Sequence, residues 1–158
     1  MPKNRVTNLQ EAILSEVPPN FIDPHSYQSP QMLKGLDYEK QVKKYLLELF
    51  DLDQVVLGPW IRYYDGLRWR WAQPDVVLLP RKAKHLVIGE VKLTWRPGAV
   101  RKLQELYEPL CRKVWPKHEV KRAQICKGIK KNCKVSEWHQ LEDILSPDKP
   151  DHFDVHWF

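Results

Sequence analysis

The run of residues 86–95 (LVIGEVKLTW) holds two opposite charges inside an otherwise apolar segment. Glu90 and Lys92 are two residues apart, so on a strand their side chains point to the same face. Such charges cost free energy unless they pair or bind a ligand. Asp75 opens the preceding apolar run directly after Pro74, and a hairpin between the two runs would bring Asp75 and Glu90 to one end of a sheet. The sequence therefore predicts a site with two carboxylates and one ammonium group.

A third carboxylate, Glu39, lies on a predicted helix that Asp37 can cap and that runs to about residue 50. Glu39 is three residues before Val42 and seven before Leu46, two of the apolar residues that recur there at helical spacing. It is therefore on or beside the apolar stripe, where it can join the two strand carboxylates. The alternative is an ordinary charge near the helix N-terminus that complements the helix dipole.

Clustered carboxylate oxygens are typical ligands of the hard divalent cations Mg²⁺ and Mn²⁺ rather than of Zn²⁺. A cation held in this way polarises a phosphate and generates a hydroxide nucleophile near neutral pH. Lys92 could then orient the attacking water or neutralise charge that develops on the phosphate. Together these residue types indicate phosphodiester hydrolysis. The alternative is a buried ion pair of Glu90 with Lys92, in which Asp75 is only a turn residue.

The elements that would position these residues follow from periodicity and turn signals. Asp65-Gly66 between two aromatic runs predicts a hairpin. Thr7 and Gln10 form a capping box for a short helix, four prolines in 18–30 predict an extended arm, and Pro109 should kink its helix. The predicted helices cover 8–16, 38–50, 97–114 and 136–145, and the predicted strands cover 60–64, 67–71, 75–79, 86–93, 120–129 and 153–158. This order predicts an α/β fold with a mixed central sheet and flanking helices.

The chain of 158 residues has a net charge of +6, which is spread unevenly. Residues 96–134 carry +9 and residues 135–158 carry −5. A basic surface that contacts the phosphates of DNA is one interpretation, and a solvated helix face is the other. The basic residues that we expect to contact nucleic acid are Arg101, Lys121, Arg122, Lys127, Lys130 and Lys131.

Composition excludes several other classes of protein. No apolar run approaches the roughly 18 residues of a membrane span, so we expect no membrane partner. The three cysteines are an odd number at scattered spacing, which favours an intracellular, reducing compartment over a disulfide framework. Zinc-site spacing is lacking around Cys126 and Cys133. Trp69, Trp71 and Trp95 lie beside arginines and could stack on exposed bases, with core packing as the alternative.

The ordered set of residues resembles the PD-(D/E)XK nuclease superfamily. Its elements here are the helix with Glu39, then Pro74-Asp75, then Glu90-Val91-Lys92, and finally a helix with Gln104 and Tyr107. The resemblance covers residues 36–127 and implies a restriction-endonuclease-like α-β-β-β-α-β core. Gln104 and Tyr107 are one residue closer together than in the Gln-x-x-x-Tyr motif of RecB-like members.

The resemblance also implies roles for individual residues. Asp75, Glu90 and the backbone carbonyl of Val91 would bind Mg²⁺ or Mn²⁺, and Glu39 would bind the metal or a water linked to it. Lys92 would be catalytic, and Gln104 would lie next to the active site. We expect residues 1–34 to form an N-terminal helix and Pro-rich arm, residues 35–134 the nuclease core, and residues 135–158 a C-terminal helix and a terminal strand packed on that core.

The function expected from the sequence is metal-dependent hydrolysis of DNA phosphodiester bonds, in replication, recombination or repair. The alternative is a catalytically inactive nucleic-acid-binding module, or an assembly protein, on the same fold. A dimer would suit a nuclease that cuts junctions, although no coiled-coil seam supports one.

Overall fold

The computed structural model describes residues 5–20, 28–128 and 133–158. This part of the chain contains two β-sheets and three α-helices. The strands are β1 (Glu11–Ser15), β2 (Val55–Leu57), β3 (Trp60–Tyr64), β4 (Trp69–Ala72), β5 (Val76–Leu78), β6 (His85–Thr94), β7 (Glu119–Gly128), β8 (Trp138–His139) and β9 (His152–His156). The helices are α1 (Pro30–Leu49), α2 (Pro97–Lys102) and α3 (Glu108–Val114), and a π-helical turn at Leu103–Tyr107 joins α2 to α3.

The larger sheet has six strands in the order β2-β5-β6-β7-β9-β8. Its first three strands, β2, β5 and β6, are antiparallel neighbours. From β6 onward the pairs β6–β7, β7–β9 and β8–β9 are parallel. The prediction of an α/β fold with a mixed central sheet is therefore confirmed.

The two faces of β6 pack against different helices. Val87 and Val91 belong to a core cluster with Val42 of α1. Ile88 belongs to the other cluster, with Tyr107 and other apolar residues of the α2–α3 segment. Because side chains alternate along a strand, Glu90 points to the α2–α3 side, while Val91 points towards α1.

Helix α1 begins seven residues earlier than Asp37, the predicted cap. The Ser29 hydroxyl accepts the backbone N–H of Met32 at 3.2 Å, and Pro30 occupies the first turn. Proline is well suited there because its missing N–H would have had no partner inside the helix. The predicted arm at 18–30 therefore ends at the helix start, and its residues 21–27 lie outside the described part of the chain.

A smaller sheet of three strands, in the order β1-β3-β4, replaces the helix predicted at 8–16. That prediction is wrong. Strand β1 pairs antiparallel with β3, with Ala12 opposite Tyr63 and Leu14 opposite Ile61. Tertiary pairing with an aromatic strand here overrides the local capping signal.

The predicted hairpin between β3 and β4 is confirmed. The Asp65 side chain accepts the backbone N–H groups of Leu67 and Arg68, each at 3.0 Å. Gly66 has a φ of 89°, a left-handed conformation that glycine adopts without steric cost. These contacts fix the turn by the chemistry that Asp-Gly predicts.

The helix predicted at 97–114 is confirmed, and its irregularity lies next to Pro109. Proline cannot donate to the carbonyl four residues earlier, which is that of Glu105. The backbone N–H of Val6 donates to that carbonyl instead, at 2.9 Å. The N-terminal segment thus satisfies the acceptor that Pro109 leaves free, beside the π-helical turn.

The C-terminal segment differs from its prediction in part. The strand expected at 153–158 is present as β9, which pairs with β7. The helix predicted at 136–145 is wrong, because those residues form the short strand β8 and a 3-10 turn at Leu141–Asp143. Among the described residues, no helix is both long and apolar enough to cross a membrane.

Candidate active site

Asp75 and Glu90 meet at one end of the β5–β6 hairpin. Val76 pairs with Gly89 in the antiparallel register, and one further step places Asp75 opposite Glu90. The two side chains lie close enough to share a hydrogen bond. The sequence prediction that a hairpin brings these carboxylates together thus agrees with the structure.

Gly89 allows this close approach of the two strands. A Cβ atom at Gly89 would lie 2.6 Å from Cγ1 of Val76, shorter than real contacts of this kind. Val76 is fully buried and has little room to move. A side chain at position 89 would therefore push β5, and Asp75 with it, away from β6.

The backbone of Val91 faces the same edge as Asp75. The Val91 N–H donates to Oδ2 of Asp75 at 2.7 Å. A residue's N–H and C=O point to the same edge of a strand, so the Val91 carbonyl also points towards the Asp75 side. Strand β5 starts only at Val76, so at this edge the Val91 N–H of β6 bonds to a side chain rather than to the backbone of β5.

Glu39 joins the two strand carboxylates from α1. Its carboxyl lies within hydrogen-bond reach of Asp75, and its Oε2 accepts from Nζ of Lys43 at 2.8 Å. Since α1 begins at Pro30, Glu39 lies in the middle of the helix. The alternative of a charge that complements the helix N-terminus therefore does not apply.

Burial and mutual repulsion shape the protonation of this cluster. Burial, followed by the negative charge of Glu90, raises the pKa of Asp75 to about 7. Burial and the charge of Asp75 also raise the pKa of Glu39, against the opposing effect of Lys43. The cluster therefore holds a proton near neutral pH, because crowded carboxylates cannot all ionise without a compensating cation.

Lys92 lies beside this cluster at the rim of a groove. Its Nζ is 3.9 Å from Oε1 of Glu90, and its side chain is 34% exposed. The groove, with a volume of about 370 Å³, runs between the start of α1 and the end of β6. Glu39, Lys92 and Arg96 line it, so a ligand entering there meets two cationic side chains and one carboxylate.

The carboxylates fit a hard cation by their chemistry. Glu90 is 3% exposed, and its Oε2 is buried without a hydrogen-bond partner. A divalent cation would both satisfy that oxygen and relieve the repulsion that raises the pKa of Asp75. Within the described ranges, no three His, Cys, Asp or Glu side chains already have the arrangement of a metal site, so the side chains would have to adjust on binding.

Gln104 and Tyr107 have different surroundings. Gln104 is exposed on the π-helical turn, and the structure gives it no contact with the carboxylates. The buried Tyr107 hydroxyl donates to the carbonyl of Gln73 at 3.0 Å. Burial, then the charges of Glu90 and Asp75, raise the pKa of Tyr107. Tyr107 thus supports the segment leading into Asp75. Tyr107 is four residues after Leu103, and this helical spacing was the sequence signal that Tyr107 is buried on the inward face of the helix.

Gln124 is a buried residue near the site that the sequence reasoning missed. It lies opposite Glu90 in the β6–β7 register. Its amide accepts from the backbone N–H of Arg96 at 2.8 Å and donates to the Arg96 carbonyl at 3.0 Å. Gln124 therefore fixes the connection from β6 to α2. A polar residue between the apolar Ala123 and Ile125 was the available signal.

The predicted phosphate-contacting residues do not form one exposed set. Arg101 and Lys127 are exposed. The prediction that Lys121 contacts phosphates is corrected, because Lys121 is 6% exposed and its Nζ donates to the carbonyl of Pro147 at 2.8 Å.

Arg122 is also held inside the protein. Its side chain is 13% exposed, and its Nε lies 3.6 Å from Oε1 of Glu108. Lys130 and Lys131 lie outside the described residues. Of the six predicted contact residues, Arg101 and Lys127 are therefore the two that are exposed in the described part of the chain.

The chain matches no protein-family model, no curated protein and no solved structure.

Proposed function

We propose that this protein is a divalent-metal-dependent nuclease that hydrolyses DNA phosphodiester bonds with a PD-(D/E)XK-type site. The observation that carries the proposal is the convergence of Asp75, Glu90 and Glu39 beside Lys92. Three carboxyl groups share one partly buried space, and the ammonium group lies at the mouth of a groove. A purely structural ion pair of Glu90 with Lys92 would not need Asp75 and Glu39 at the same point.

The order of elements supports the same proposal. Helix α1 is followed by the antiparallel strands β2, β5 and β6, then by the α2–α3 segment, and then by β7 parallel to β6. This succession has the α-β-β-β-α-β order expected for a restriction-endonuclease-like core. The β3–β4 hairpin lies between the first and second of these strands, and β8 and β9 extend the sheet beyond β7.

In this proposal Asp75, Glu90 and the Val91 carbonyl hold the cation, and Glu39 offers a further oxygen. A divalent cation bound there supplies charge that polarises the phosphate and favours a hydroxide nucleophile near neutral pH. Asp75 would have to release its proton to solvent for its carboxylate to hold the cation. Lys92 carries a compact positive charge that can neutralise a phosphate oxygen in the transition state.

The test is incubation of the purified chain with labelled single-stranded, duplex, flap and four-way DNA, with Mg²⁺, Mn²⁺ or EDTA. We expect cleavage of at least one DNA with either cation and no cleavage in EDTA. Full cleavage in EDTA, at a rate unaffected by substitution of Asp75, would contradict the proposal. DNA binding without cleavage under every condition would favour the alternative of a catalytically inactive binding module.

A further inference from the structure

The outer face of the β1-β3-β4 sheet is rich in planar side chains. The inner face is fixed by Ala12, Ile61 and Ala72, which belong to a core cluster. Side chains alternate along each strand, so their neighbours in sequence point outward. This outward set includes Glu11 and Ser15 of β1. We call its remaining members the aromatic face, and they are Ile13, Trp60, Arg62, Tyr64, Trp69 and Trp71.

Arg62 lies at the centre of the aromatic face. It pairs across the sheet with Ile13 on one side and Trp71 on the other. Its guanidinium carbon is 4.8 Å from the centroid of the Trp69 ring and 5.8 Å from that of Trp71. Across the described chain, no carboxylate lies within ion-pair distance of Arg62, so its positive charge remains available to a ligand.

Further ring contacts extend this arrangement to both ends of the sheet. Trp60 meets Trp71 edge-on, with centroids 6.1 Å apart. Tyr64 and Trp69 are 5.4 Å apart, and Trp69 is 40% exposed. Trp60, Tyr64 and Trp71 are partly buried, while Trp69 and Arg62 are exposed, and the exposed part of this planar surface does not contribute to folding. The concentration of these rings around one arginine therefore points to a ligand.

The aromatic face is continuous in the chain with the carboxylate site. Trp71 is followed after Ala72 by Gln73-Pro74-Asp75. The Gly58 N–H, two residues before Trp60, donates to the Asp75 carbonyl at 2.8 Å. The Trp60–Trp71 end of the sheet is thus anchored to the backbone of the proposed metal-binding residue.

We propose that the aromatic face binds single-stranded DNA by stacking unpaired bases on Trp69, Trp71 and the Arg62 guanidinium. Every base has an apolar planar surface that matches an indole or a guanidinium, so such binding tolerates many sequences. Trp, Tyr and Arg are also typical of protein interfaces, so a second copy of this chain is the alternative occupant that the experiment must exclude. This inference rests on the proposed nuclease function, because it assigns a DNA strand next to the site that would cut it.

The experiment compares two labelled strands of equal length, oligo(dT) and an abasic strand, by fluorescence anisotropy in EDTA. Both strands carry the same phosphates, so a difference in affinity reports on the bases. We expect the unsubstituted protein to bind oligo(dT) about 5- to 10-fold more tightly. Trp69→Ala should bring this ratio close to one, and Trp69→Phe should keep most of it.

Leu67→Ala is the matched control, because Leu67 is 84% exposed in the same hairpin and has no planar group. It should leave the ratio unchanged. Arg62→Ala is a second variant on the central strand, and it should also reduce the ratio. Circular dichroism of each variant checks that the fold is kept.

Equal affinity of the unsubstituted protein for the two strands would overturn the inference. So would a dimer that Trp69→Ala converts to a monomer, because the face would then bind a second copy of this chain. Equal affinity together with Mg²⁺-dependent cleavage would overturn this inference alone. Base-dependent binding without cleavage would overturn the proposed nuclease function alone.

Discussion

The carboxylate of Asp75 accepts the backbone N–H of Val91 at 2.7 Å, beyond the point where strand β5 pairs with β6. A side chain thereby takes the position of a missing strand partner. The bond fixes Asp75 next to Glu90 and turns the Val91 carbonyl towards the same edge. Three oxygen-bearing groups from two strands meet there by backbone geometry, and the side-chain chemistry of the site depends on that geometry.

Lys92→Ala should reduce Mg²⁺-dependent DNA cleavage by about 10²-fold or more while keeping most DNA affinity. The physical reason is that Lys92 is proposed to act on charge that develops in the transition state. Single-turnover cleavage and anisotropy binding, measured on the same preparation, check this. A variant that cleaves at the unsubstituted rate would make the match of Glu90-Val91-Lys92 accidental.

Asp75→Asn should change how stability depends on pH. The pKa of Asp75 is raised in the folded protein from 3.8 to about 7, so the folded state binds the extra proton between those values. The unsubstituted protein therefore loses stability as pH rises through this window, and the loss is complete above about pH 7. The amide variant has no such proton to lose.

Thermal unfolding in EDTA at pH 5 and pH 8 measures this effect. The Tm of Asp75→Asn relative to the unsubstituted protein should be higher at pH 8 than at pH 5. Mn²⁺ should raise the Tm of the unsubstituted protein at pH 8 and leave that of the variant nearly unchanged, because binding to the folded state stabilises it. The same Tm difference at both pH values would be evidence against the crowded carboxylate cluster.

Gly89→Ala should destabilise the protein by about 1–3 kcal/mol, the usual cost of overpacking. The added Cβ would lie 2.6 Å from Val76, which forces β5 away from β6. Cleavage should fall as well, since Asp75 and Glu90 separate. Gly98→Ala is the control, because a Cβ there meets nothing within 4 Å. Urea unfolding of both variants compares them, and equal stabilities would contradict the predicted clash.

Substitutions of Arg101 and Lys121 should differ in their effect on DNA affinity, because Arg101 is expected to contact a phosphate and Lys121 has a structural role. Arg101→Ala should reduce the slope of log affinity against log salt by about 0.7–0.9, the share of one phosphate contact. The double substitution Lys130→Ala/Lys131→Ala should lower the slope in the same way. Lys121→Met should leave it unchanged and cost about 1 kcal/mol of stability, because the Pro147 carbonyl loses its donor. Salt titrations that give all three proteins the unsubstituted slope would favour a merely solvated basic face.

Local signals predicted the elements around the site well. Asp-Gly predicted the β3–β4 turn through Asp65, short apolar runs predicted β5 and β6, and helical spacing predicted the α2–α3 segment. The convergence of Asp75 and Glu90 followed from these because a hairpin register depends on nearby residues. Glu39 could be predicted as a site residue because it is three residues before Val42 and seven before Leu46, which places it on or beside the apolar stripe of the helix.

Features that depend on distant pairing could not be predicted in this way. The segment at 8–16 has a helical capping signal, yet it is a strand because β3 offers an aromatic partner. Lys121 belongs to a residue type that is usually exposed, yet it is buried because the loop carrying Pro147 packs over it. Helix α1 starts at Ser29-Pro30, a pair that is equally typical of an extended arm, and only packing distinguishes the two.

Single-turnover DNA cleavage by the unsubstituted protein and by Glu90→Gln, side by side in Mg²⁺, tests the proposed site most directly. Glu90 is buried with one unpartnered oxygen, and the amide keeps its shape while removing the charge that would bind the cation. Glu48→Gln, an identical change at an exposed position of α1, is the control. We expect Glu90→Gln to lose cleavage by about 10²-fold or more, while Glu48→Gln cleaves like the unsubstituted protein. Equal cleavage by all three proteins would contradict the proposed site.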